Sequence, residues 1–333
     1  TGAGCRLEGM RDRLSPSAER LVFGAWLALG AWLLTRLAPH AAEARALALG
    51  CLDINLPAPG FIALGRALRF YGVPLVFAVL LLLTCARAGA RALGALGGRW
   101  RGGLDRACVA LILGWAAASL ALLALALVGL FFPPVLIGAC ATLAAAGSPV
   151  RFTRRGANAA GGAAWRLAAA LAAPALCAAP LALLPGAFVD SLFQHLALPE
   201  QFLLVHRFTD EGLGIEAHLQ VMTEMLNVFA VMLDHDGLAA VVAAVPFLAG
   251  LVMASAWIRQ LAGPAAAALG TGLALTLTWT VWTFLGGKND PAAAGIILAA
   301  VICLERGAHR PAALCWGVAC AVKYTGFFLA VPA

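Results

Sequence analysis

The sequence predicts an all-α, polytopic helical transmembrane protein of about nine spans, with amphipathic surface helices in one large outer loop. Three observations carry this. Of 333 residues, 62% are hydrophobic and 12% are charged, against about 25% charged in ordinary soluble domains. Mean hydropathy is +0.91, more apolar surface than one soluble core of this size hides. Apolar runs long enough, or nearly so, to cross a bilayer recur along the chain. A cytosolic enzyme, a DNA-binding protein and a disordered scaffold are excluded.

The spans are expected at about 20–38, 70–86, 107–132, 134–147, 163–184, 238–257, 263–286, 291–304 and 312–331. Those at 134–147 and 291–304 are short. Segment 47–64 is apolar yet holds Asp53, Pro57, Pro59 and Gly60, and reads as an interfacial or re-entrant piece. The first apolar run follows a basic leader without a clear small-residue cleavage site, so it is no cleavable signal peptide. The chain begins at Thr1 and stops at Ala333 in an apolar run, as a fragment of a longer protein would. The nine cysteines form no CxxC pair and lie mostly in apolar runs. They read as small core residues.

Orientation follows from the loop cations. Arg87, Arg91, Arg99, Arg101 and Arg106 lie in one loop, and Arg151, Arg154 and Arg155 in the next. Arg259, Arg306 and Arg310 follow later spans, and Asp105 and Glu305 are the only acids among them. All these loops fall on one side, which is therefore cytoplasmic. The net charge of +7 is explained by this bias, and no nucleic-acid partner is implied.

Three regions result: N-terminal spans with basic loops (1–184), an outer loop (185–237), and C-terminal spans (238–333). The outer loop holds eight of the 16 acids and four of the six histidines. Residues 190–206 and 218–233 both read as amphipathic helices lying on the membrane surface, the first kinked or divided by Pro199.

The loop sequence Asp190-Ser-Leu-Phe-Gln-His195-Leu-Ala-Leu-Pro199-Glu-Gln-Phe-Leu resembles the first large outer loop of the GT-C superfamily. These are multi-spanning glycosyltransferases that use dolichyl- or polyprenyl-phosphate sugars and are related to protein O-mannosyltransferases. Thr223-Glu224-Met225-Leu226 resembles the family's Glu-Met-Leu. Gly287-Lys288-Asn289-Asp290, with Gly317 and Lys323-Tyr324-Thr325-Gly326, resembles its paired late-span signature. The resemblance covers about 185–333. Gln194 stands where the family commonly has Tyr, and Glu200 where it has Lys.

The resemblance implies inverting transfer of a sugar from a lipid phosphate to an acceptor, on the outer face of a bacterial-type cytoplasmic membrane. The acceptor, whether protein, lipid or glycan, is open. The family's usual catalytic Asp, just after a span, falls on Asp190. At the membrane surface a carboxylate holds a proton more readily, which suits a general base; Asp190 also fits the cap of a surface helix.

Glu224 is a second catalytic candidate, an acid on an otherwise apolar face. It is a ligand for a divalent metal ion or for the acceptor, if Asp190 lies near it. His195 is a phosphate binder, an orienter of an acid, a metal ligand or a lone interfacial histidine. Asp234-His235-Asp236 fits no metal-ligand spacing and reads as a solvated helix end.

Lys323 lies inside an apolar span, so it is a functional candidate, with Asp290 the obvious partner and Tyr324 in support. Arg207, Lys288 and Lys323 are the cations for an anionic leaving group. A transporter or flippase, and a non-catalytic subunit that keeps the GT-C shape, stay open as alternatives. The former should show inverted repeats or broken helices; the departures at Gln194 and Glu200 keep the latter.

Overall fold

The computed structural model describes residues 72–96, 103–148, 195–209, 221–276 and 288–330. Among these all regular structure is helical. The elements are α1 (Val73–Leu96), α2 (Gly103–Leu127), α3 (Pro133–Ala146), α4 (Ala197–Val205), α5 (Met222–Met232), α6 (Gly237–Thr276), α7 (Asp290–Glu305), α8 (His309–Val322) and α9 (Thr325–Ala330).

The chain forms two compact units. One contains 68–156, 180–254 and 278–333, and so every helix except the distal part of α6. Of the other, only 255–276 are described.

Among the described residues, three helices are long and apolar enough to cross a membrane: Val76–Leu96, Gly103–Leu127 and Gly237–Leu275. This supports a membrane protein; the count is of the described residues, and the expected nine spans are not shown by it. The expected spans 20–38 and 163–184, and segment 47–64, lie outside the described residues. The described residues of spans 238–257 and 263–286 lie in α6, which is two helical stretches meeting at the non-helical Gly263 (φ 89°), with Arg259 inside the first. A side chain is strained at that φ, and Pro264 then restarts the helix. α7 and α8 are 16 and 14 residues long.

Within the larger unit, α1 and α2 lie backbone to backbone. A Cβ on Gly89 would meet the Ala110 carbonyl, and one on Gly114 the Cys85 carbonyl. Gly129, at φ 75°, turns the chain after α2, and Pro133–Pro134 pre-set the first turn of α3. Trp115 is fully buried and donates its indole N–H to the Val242 carbonyl of α6 at 3.1 Å. Gly250 of α6 and Gly295 of α7 meet directly.

Gly295→Ala is therefore expected to lower stability by about 1–3 kcal/mol. Gly94→Ala, in open space on the exposed side of α1, should gain about 0.5–1 kcal/mol from helix propensity. Thermal unfolding of the two variants checks the contrast; equal melting temperatures would contradict the packing.

Three arginines tie helices of this unit together. Arg306 pairs with Asp105, and Arg310 donates to the Leu96 carbonyl at 3.2 Å. Arg87 donates to the carbonyls of Ala144 at 2.5 Å and Gly147 at 3.2 Å.

Candidate functional site

α5 does not lie on a surface. Met222 to Ala230 are all buried, and α5 packs against α2, α4 and α8. Its polar residues look like the wet face of an amphipathic helix, yet they point into protein. Thr223, Glu224 and Asn227 are each 0% exposed.

A buried carboxylate oxygen is costly unless it is hydrogen-bonded. His195 partners one of the two: its Nδ1 lies 2.6 Å from Glu224 Oε1, across 29 residues of sequence. Asn227 donates from Nδ2 to the His195 carbonyl at 3.1 Å. α5 thus holds His195 by both side chain and backbone. His195 is thus in contact with one acid, Glu224.

α4 follows directly. Pro199 sits in its first turn, where its missing N–H costs nothing, so α4 is not divided. The helix stops at His206 in the left-handed region (φ 59°). The His206 ring stacks on Phe132 at 4.1 Å, and its carbonyl accepts from Phe131 N–H at 3.0 Å. Phe208 N–H donates to the Ala126 carbonyl at 2.8 Å. This segment is therefore fastened to the α2–α3 turn. The surface-helix expectation fails for 222–230, and the described part of 190–206 is pinned to protein.

The late-span residues form a second cluster. α8 ends at Val322, and Lys323 is extended (φ −153°, ψ 131°) before α9 begins. The expected span 312–331 is thus interrupted at its ionisable residue. Lys323 Nζ bonds Asp290 Oδ1, and Asn289 donates from Nδ2 to the Val322 carbonyl at 3.2 Å. Two consecutive residues at the start of α7 thus clasp two consecutive residues at the break.

Lys323→Met is expected to lower stability by about 1–3 kcal/mol, less than for a fully buried pair, because both groups keep some contact with water. Adding Asp290→Asn should restore part of it. Thermal unfolding of the single and double variants reads this out; additive losses would mean that the pair does not couple.

No family model, curated protein or solved structure matches the chain. The site therefore rests on its own geometry.

The remaining candidates are placed as follows. Arg207 is exposed in the turn after α4, Lys288 is half-buried just before α7, and Tyr324 is exposed. Asp190 lies outside the described residues. Asp234 is exposed at φ 51° while His235 is buried. Among the described residues no group of three or more His, Cys, Asp or Glu is arranged to hold a metal ion. Sequence reading missed Asn227, although it lies three residues after Glu224 and so on nearly the same helix face. It also missed the pairing of Asp105 with Arg306.

Proposed function

We propose that the protein is a membrane glycosyltransferase. It moves a sugar from a polyprenyl-phosphate donor to an acceptor hydroxyl, on the outer face of a bacterial-type cytoplasmic membrane. One observation carries this reading: segments that resemble the GT-C loop and late-span motifs, far apart in sequence, meet in pairs. The 190–203 segment meets the Glu224 segment through His195 and Glu224. The 287–290 segment meets the 323–326 segment through Asp290 and Lys323.

In this reading Asp190 takes the proton from the acceptor hydroxyl as that oxygen attacks the anomeric carbon. The bond from that carbon to the phosphate oxygen breaks with inversion, and the lipid phosphate leaves with the electron pair. Arg207, Lys288 and Lys323 stabilise the developing phosphate charge. Glu224 is enclosed by protein and acts through His195, as a positioning residue. Any divalent metal would need Asp190 to join Glu224 from the neighbouring segment.

The break at Lys323 favours a second reading, because discontinuous helices with charged residues at the break mark transporters and flippases. Purified protein with labelled polyprenyl-phosphate sugar and cell-envelope acceptors separates the two. Labelled acceptor supports transfer. Movement of intact labelled lipid across proteoliposomes supports the flippase, and neither result supports a non-catalytic subunit.

Topology gives a further test. A cysteine placed at Asp210 should react with an impermeant thiol reagent in intact spheroplasts, and one at Arg155 should not. The reverse pattern removes the outer-face donor from consideration.

A further inference from the structure

We propose that Thr223, Glu224 and Asn227 bind a single monovalent hard cation, sodium, in the interior beside α5. Three oxygens of these residues, Thr223 Oγ1, Glu224 Oε2 and Asn227 Oδ1, are buried and have no hydrogen-bond partner in the protein. Buried polar atoms are nearly always partnered, and exceptions mark strain, function or a bound species. Three on one short helix need one common cause.

Spacing supplies it. Thr223 and Asn227 are four residues apart and Glu224 and Asn227 three, so all project from one side of α5. The remaining polar capacity is already committed elsewhere: His195 Nδ1 to Glu224 Oε1, and Asn227 Nδ2 to the His195 carbonyl. Both bonds leave the three oxygens as the groups still to be satisfied.

The donor chemistry selects the ion. A hydroxyl, an amide oxygen and a carboxylate oxygen form an all-oxygen set, which suits hard cations and not zinc or copper. The set carries one carboxylate. A monovalent ion neutralises it, whereas a divalent ion would leave a net positive charge enclosed in apolar surroundings. The proposal depends on the α5 side chains and not on sugar transfer, so loss of the transferase reading leaves it standing.

The test is thermal unfolding of the whole chain in detergent, titrating sodium chloride against potassium chloride or choline chloride at constant ionic strength. A ligand that binds only the folded state raises the melting temperature saturably. A sodium-specific rise of about 2–4 °C is expected, the shift that roughly 1 kcal/mol gives in chains of a few hundred residues. Glu224→Gln should abolish the rise. Thr223→Val, close in shape and without charge change, should move the half-maximal sodium concentration up about ten-fold, and it keeps the test open if Glu224→Gln fails to fold. Equal effects of sodium, potassium and choline overturn the site. So does a wild-type sodium response in Thr223→Val, and calcium stabilising in place of sodium overturns the monovalent assignment.

Discussion

Asp190→Asn is expected to leave expression and folding intact and to lower sugar transfer by about 10²–10⁴-fold, the usual scale of general-base catalysis. The substitution keeps shape and removes the proton acceptor, so the loss should appear in turnover and not in donor affinity. His195, five residues after Asp190 in the sequence, is held by α5 through both Glu224 and Asn227. Asp234→Asn is the control. Asp234 is exposed in the left-handed region, which asparagine adopts as readily as aspartate, so near-normal activity is expected. Near-normal turnover in Asp190→Asn would remove Asp190 as the base.

The sequence was most legible where one physical signal dominated. α1 and α2 are long and apolar, so their existence followed from composition, but the loop expected over 87–106 is shorter: Arg87 and Arg91 lie inside α1 and Arg106 inside α2. In α6 the break falls at Gly263, where the second expected span begins, and the loop-like Trp257-Ile-Arg259-Gln260 before it is helical.

The error at α5 has a different cause. Periodicity reports that polar residues share a face, but not whether that face meets water or other polar groups. Glu224 and Asn227 meet His195 instead, and the helix is buried all round. Lys323 and Asp290 were legible because an ionisable group in an apolar run must find a partner. Asp105 and Arg306 were not, because each sits among loop charges that need no explanation.

That hidden pair carries the second large effect. Arg306→Met is expected to destabilise the fold by about 3–5 kcal/mol, the usual cost of stranding one member of a buried ion pair. Asp105 is 4% exposed, in the first turn of α2, and Arg306 caps the end of α7. Helices from distant parts of the sequence are therefore joined at this point. Arg310 ties α8 to the end of α1 nearby, but its guanidinium is exposed and contributes less.

Removing the arginine leaves a carboxylate enclosed with no compensating charge, so the loss should exceed that of Lys323→Met, whose partner keeps contact with water. The double variant Arg306→Met with Asp105→Asn should recover most of the stability, because a neutral pair carries no stranded charge. Equilibrium unfolding in detergent reads all three forms as a double-mutant cycle. A coupling near zero would mean that Asp105 is neutralised by other means, and that α2 and α7 are held together by apolar contact alone.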